Sequence, residues 1–209
     1  MGRDSFAPEL RAYIERRAEE KGQIPAARRA TIAELAAYVR GALARDGTAD
    51  LIFVCTHNSR RSQFGQVWAH TAAAWHGVEG VRAFSGGTEV TAFNPRAIEA
   101  LERAGFLIER GTGENPRVHV RCGVDDPGIE CFSTLIDEAP NPDAGFAAVM
   151  TCSSADAACP IVPGAAARIA LRYEDPKAAD GTARETEVYN ERCAQIAREL
   201  LAAMGMVAG

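Results

Sequence analysis

Along the chain, apolar residues first recur at three-and-four spacing and then, beyond Gly47, in short unbroken runs. Leu10, Tyr13 and Ile14 share one face of a charged helix expected over 8–21. Ile32, Leu35, Ala36, Val39 and Leu43 mark a second over 31–44, where Thr31 and Glu34 have the spacing of a capping box. Gly22 and Pro25 separate the two. After Gly47 the run over 51–55 reads as a buried parallel strand, followed by a polar loop and a helix over 61–76. A strand over 81–84 closes on Ser85-Gly86-Gly87, and Pro95 opens a helix that stops at Gly105. Further strands are expected over 117–121, 146–151 and, more weakly, 167–171, with a long closing helix over 185–204. This alternation predicts an α/β fold, a doubly wound parallel sheet with helices on both faces. The organisation expected is an N-terminal helical extension over 1–48 and an α/β catalytic domain over 49–209. The stretch near 122–143, rich in Pro, Asp and Gly, reads as an insert or long loop with no fold assigned.

The chemistry concentrates where the first of these strands ends. Cys55 opens the loop Cys55-Thr56-His57-Asn58-Ser59-Arg60-Arg61-Ser62, at the strand edge where open α/β sheets bind ligands. The loop runs straight into a helix, so its backbone N–H groups and the positive helix end favour an anion. Arg61 is placed to offer a planar fork of donors to a phosphate-like group, and the same field favours a Cys55 thiolate. Ser62 is a hydroxyl donor for that sulfur, and Asn58 suits a loop needing left-handed backbone and side-chain bonds. A nucleophile acting on an oxyanion needs a proton donor for the departing oxygen, and Asp175, stiffened by Pro176, follows the last short strand on the same edge.

Cys152 ends the 146–151 strand on that edge, and Cys159 lies seven residues beyond it, across a short polar segment able to form a helical turn or two. Beside an oxyanion-binding cysteine the pair reads as a thiol relay, while spacing alone fits two small buried residues equally well. Cys122 and Cys131, near His119, lack the tight pairing of structural zinc sites, so ordinary thiols and no metal are expected. Trp68, His70 and Trp75 read as helix packing, and Cys193 as a buried helix residue.

Composition adds little to this picture except exclusions. The 209 residues are 47% hydrophobic and 24% charged, with a formal net charge of −5, which argues against a nucleic-acid binder. No apolar run approaches the roughly 20 residues of a membrane helix, and the first residues lack a signal-peptide pattern, so a cytoplasmic location is expected.

Taken together, the loop from Cys55 to Ser62, Asp175-Pro176 and the Cys152/Cys159 pair resemble the low-molecular-weight protein tyrosine phosphatase superfamily, and within it the thioredoxin-coupled arsenate reductases. The resemblance covers roughly residue 51 to the C-terminus, outside the insert. It implies Cys55 as nucleophile, Arg61 as the oxyanion-binding arginine and Asp175 as general acid. Thr56, His57, Asn58, Ser59, Arg60 and Ser62 then form the oxyanion loop, and Cys152 and Cys159 the resolving pair. It further implies arsenate reduction with thioredoxin or a similar dithiol as electron donor and no bound cofactor. Phosphomonoester hydrolysis through a phosphocysteine is the alternative activity, and oxyanion or redox sensing without turnover a third. Arg60 and His57 stand where the family commonly has a cysteine and a small residue. Arg60 is expected to add positive charge near the thiolate, and His57 to be either a loop filler or a second proton carrier. Lys177 and Ala178 stand where the phosphatases carry an aromatic residue.

Overall fold

The computed structural model describes residues 2–158 and 161–209. Helix α1 spans Pro8–Glu19 and turns Leu10 and Ile14 inward. Helix α2 spans Ala26–Asp46. It therefore begins well before Thr31, and the expected capping box does not form. Pro25 occupies the N-cap with φ −59°, and the Ala and Arg residues after it are strong helix formers, so nothing delays the start. Gly47, at φ 71°, ends the helix in left-handed backbone, its N–H donating to the Leu43 carbonyl at 3.0 Å.

Strand β1 (Ala49–Cys55) is buried along its whole length. It is followed by α3 (Arg61–His76), β2 (Val81–Gly87) and α4 (Pro95–Ala104). Next come β3 (Leu107–Arg110), β4 (Val118–Arg121) and β5 (Ile129–Cys131). The chain then forms β6 (Ala147–Met150), α5 (Ser153–Ala158), β7 (Ala167–Ile169) and α6 (Glu185–Ala208). Among the described residues, none of these helices is long and apolar enough to cross a membrane.

The main sheet is parallel, in the order β2-β1-β6-β7. Alternation along β1 sends Leu51 and Phe53 into one core and Ile52 and Val54 into another on the opposite face. The two faces are covered unequally. The first carries α1, α2, α3, α4 and α6, and buries Phe53, Phe64, Trp68 and Tyr189. Each such side chain contributes about 1.5–3 kcal/mol or more by leaving water. The second face is covered by α5 and by Ile136, Val162 and Ala165 from loops. Close approach of α3 to β1 requires Gly65, where a Cβ would lie 2.3 Å from the Phe53 ring. The N-terminal helices join the first core through aromatic contacts. Tyr13 stacks on Trp68 at 5.7 Å, and Phe6 meets Trp75 edge-on at 5.4 Å.

A second sheet, antiparallel in the order β3-β4-β5, departs from the sequence expectation. The strand expected over 117–121 belongs to it and not to the parallel sheet. The segment near 122–143 supplies β5, which pairs Cys131 with Val118. Beyond β5 the chain returns beside β2, where the Gly87 N–H donates to the Thr134 carbonyl at 2.9 Å and the Ile136 N–H donates to the Gly87 carbonyl at 3.0 Å.

Candidate active site

At the carboxyl end of β1 the chain reverses through residues 56–60 and enters α3 at Arg61. The N–H groups of His57, Asn58, Ser59 and Arg60 find no acceptor among the described residues. Four donors left in this way, next to a helix N-terminus, are the donor set that an anion-binding nest requires. Asn58 sits at φ 45°, the left-handed region that Asn tolerates. Its fully buried side chain locks the loop. Oδ1 accepts from the Thr134 N–H at 2.9 Å, and Nδ2 donates to Ser62 Oγ at 2.9 Å. Because Ser62 Oγ accepts from Asn58, its own hydrogen is free to point at Cys55 Sγ, 3.0 Å away. Gly87 faces the loop from β2, where a Cβ would come within 2.7 Å of the Thr56 carbonyl and 2.8 Å of the Asn58 N–H nitrogen. Gly87→Ala is therefore expected to displace the nest and weaken phosphate binding by about 100-fold, read by isothermal titration.

The Arg61 side chain is 13% exposed, and its guanidinium lies on the same edge. Nη2 donates to Asp175 Oδ2 at 2.5 Å and Nη1 to the Tyr173 carbonyl at 3.0 Å, while Nε is buried without a partner among the described residues. Asp175 is also held by the chain that follows it, Oδ1 accepting from the Lys177 N–H at 3.1 Å. Cys152 is 1% exposed, and its Sγ lies 3.7 Å from the hydroxyl of Thr56, the residue next to Cys55. The Ala155 N–H, in the first turn of α5, points at the same sulfur at 3.3 Å.

No family model matches the sequence. The chain is 28% identical over 144 residues to an arsenate reductase of Bacillus licheniformis, covering 68% of this chain and 84% of that one. It is 30% identical over 128 residues to arsenate reductase 2 of Staphylococcus epidermidis, covering 60% of this chain and 77% of that one. The chain belongs to the arsenate reductase family. Its fold is similar to a crystal structure of a YwlE mutant from Bacillus subtilis, with 17% identity, a TM-score of 0.50, and coverage of 77% of this chain and 97% of that one.

Two loop residues, Arg60 and His57, have their side chains paired with other segments of the chain. The Arg60 guanidinium is taken up elsewhere, Nε donating to the Tyr189 hydroxyl at 2.7 Å and Nη2 to Asp180 Oδ2 at 3.3 Å. Tyr189 also donates to Asp180 Oδ1 at 2.8 Å, so Arg60 ties the loop to α6 rather than offering a free charge. His57 turns its imidazole to Glu89, 3.3 Å away, with 43% of the side chain exposed. Ser59 donates to the Ala92 carbonyl at 2.7 Å. Cys159 lies outside the described residues.

Sequence reasoning missed the support beneath the loop. Fully buried Gln63 donates through Nε2 to the Asn58 carbonyl at 3.0 Å and to the Phe132 carbonyl at 2.9 Å. Ser133 Oγ donates to the His57 carbonyl at 3.0 Å. Residues 132–134 thus hold the loop from the segment read as an insert. Burial pushes Cys193 up to about 11 and Cys122 up to about 12, and raises Cys131 as well, which disfavours a free thiolate at each. Cys193 accepts from the Trp68 indole N–H at 3.3 Å, inside the core.

Proposed function

We propose that the chain reduces arsenate to arsenite through three thiols and a protein dithiol. The Cys55 thiolate attacks arsenic, the nest N–H groups and Arg61 bind the arsenate oxygens, and Asp175 protonates the departing oxygen, which leaves as water. Arg61 exchanges its pair with Asp175 for the oxyanion, which frees the carboxyl for the leaving oxygen. The sulfur of Cys152 then attacks Cys55 Sγ. The electron pair of the S–As bond stays on arsenic, which passes from the pentavalent to the trivalent state and departs as arsenite. Cys159 attacks Cys152 in turn, restoring Cys55 and leaving a Cys152–Cys159 disulfide. Thioredoxin or a similar dithiol returns the two electrons. No bound cofactor enters this scheme.

The observation carrying this reading is a second sulfur beside the loop: Cys152 Sγ stands 3.7 Å from the hydroxyl of Thr56, the residue next to Cys55. Support for hydrolysis of phosphomonoesters comes from the Arg61–Asp175 pair, which needs no further thiol to stabilise and protonate a phosphoryl group. The two readings separate in a thioredoxin-coupled assay of NADPH consumption. Arsenate-dependent turnover by the wild type and its loss in Cys152→Ser support reduction. An inactive wild type that hydrolyses phosphotyrosine, unaffected by Cys152→Ser, selects the phosphatase.

A further inference from the structure

Three unlike metal-ligating groups meet on the far stretch of α3, away from the anion nest. His70 lies on α3, Cys122 follows β4, and Asp126 lies in the turn after it. One ligand atom from each falls within 4.8 Å of the others. Cys122 and Asp126 are both nearly sealed from solvent, at 2% and 5% exposed. Their turn is preorganised, for Asp126 Oδ2 accepts from the Cys122 N–H at 2.7 Å and Oδ1 from the Gly128 N–H at 3.1 Å. Each carboxylate oxygen keeps a second lone pair after these bonds. The Thr71 hydroxyl, 3.4 Å from Cys122 Sγ, fixes the sulfur from the next position on α3. His70 Nε2 is shielded from water and has no hydrogen-bond partner among the described residues. A buried polar atom left so costs about 1–3 kcal/mol, and such orphans call for an explanation.

We propose that His70, Cys122 and Asp126 bind a borderline-soft divalent ion of the zinc class. A thiolate, an imidazole and one carboxylate suit zinc or cobalt, whereas magnesium and calcium select oxygen ligands. Tetrahedral coordination at about 2.0–2.3 Å places donors roughly 3.3–3.7 Å apart, so the three atoms close by about 1 Å, a side-chain adjustment. The sequence set Cys122 beside Cys131 and His119, whereas the groups that approach it in the fold are His70 and Asp126. His119 Nε2 is instead 2.8 Å from the Pro127 carbonyl. The ion's position gives it a structural role. It joins α3, which opens directly from the anion loop, to the turn leading into β5 and so to the 132–134 segment that supports Asn58. The Ala7 N–H, donating to the Cys122 carbonyl at 2.8 Å, adds the N-terminal helices to the same junction.

The test uses the full chain, with Cys55→Ser, Cys152→Ser and Cys159→Ser removing the other reactive thiols. After chelator treatment it is titrated with Co²⁺ alone. One equivalent is expected to bind, with a thiolate-to-cobalt charge-transfer band in the near ultraviolet. Zn²⁺ should displace it and raise the Tm by roughly 5–10 °C at a hundredfold excess over Kd. Adding Cys122→Ser should remove the band, and adding either His70→Gln or Asp126→Asn should weaken binding by about tenfold or more. These last two keep the test informative should Cys122→Ser misfold. A band that survives Cys122→Ser, affinity unchanged in both His70→Gln and Asp126→Asn, or no Co²⁺ binding with a Zn²⁺ shift below about 1 °C overturns the proposal.

Discussion

Cys55→Ser is expected to abolish arsenate reduction and to lower any phosphomonoester hydrolysis by about 10⁴-fold or more. Both losses follow from the atom replaced. A serine hydroxyl has no accessible anion near neutral pH, and the nest that suits a thiolate does not bring an alkoxide into range. Reduction suffers a further, absolute loss. In the proposed scheme the electron pair reaches arsenic only as a sulfur–sulfur bond forms between Cys55 and Cys152, and an oxygen at position 55 cannot form it. Phosphate affinity, in contrast, should stay within a few-fold of wild type, because the N–H groups of 57–60 and Arg61 remain in place. Measuring turnover beside phosphate affinity thus separates a missing nucleophile from a collapsed loop. By comparison, Ser62 supplies one hydroxyl to the sulfur, a bond to a charged group worth about 1.5–3 kcal/mol, or one to two orders of magnitude in rate. Retention of more than a hundredth of wild-type activity in Cys55→Ser would place the nucleophile elsewhere.

What the sequence made legible was local. The helix Pro95–Ala104 is written in its own ends: Asn94 Oδ1 accepts from the Arg96 N–H at 3.0 Å, Pro95 fills the first turn, and Gly105 stops the helix at φ 101°. The strand–loop–helix around Cys55 was equally readable, because a buried apolar run, a polar loop and a helix start fall in unbroken succession. Harder to read were elements whose reason for existing is another part of the chain. Strand β3, Leu107-Ile108-Glu109-Arg110, has no clean alternation and forms because β4 offers it a partner. Residues 132–134 support the anion loop through one backbone carbonyl, a backbone N–H and one serine hydroxyl, so little in their side chains advertises it. Arg60 looked like a charge for the thiolate because Tyr189 and Asp180, its actual partners, lie more than a hundred residues away. The same distance hid the His70–Cys122–Asp126 cluster, whose members follow no short ligand spacing.

Long-range partnership also governs the N-terminal helices, and the expected result is a large loss of stability in Arg28→Ala. Arg28, on α2, donates from Nε and Nη2 to the two carboxylate oxygens of Glu199 on α6, each at 2.6 Å. It also donates to the Arg172 carbonyl at 2.8 Å and lies over the Tyr173 ring at 4.8 Å. The Glu199 side chain is 2% exposed and that of Arg28 23%, so solvent screens the pair weakly. Truncating the arginine leaves a buried carboxylate without its cation, with the Gln195 amide at 3.2 Å still donating to it. Such an orphaned charge costs about 3–5 kcal/mol, which for a chain of this size lowers the Tm by on the order of 10 °C. Replacing both members by apolar residues, Arg28→Met with Glu199→Leu, should recover most of the loss, since the cost lies in the unpaired charge and not in the absence of the bridge. A shift below about 2 °C for Arg28→Ala would mean that the 1–48 segment is separable from the rest. The opposite expectation follows from the packing: Leu10, Ile14, Ile32, Leu35 and Val39 share one core with Phe53, Trp68 and Ile196. With Tyr173 under Arg28 and its carbonyl on Arg61, the N-terminal helices reach, through two contacts, the guanidinium assigned to the oxyanion.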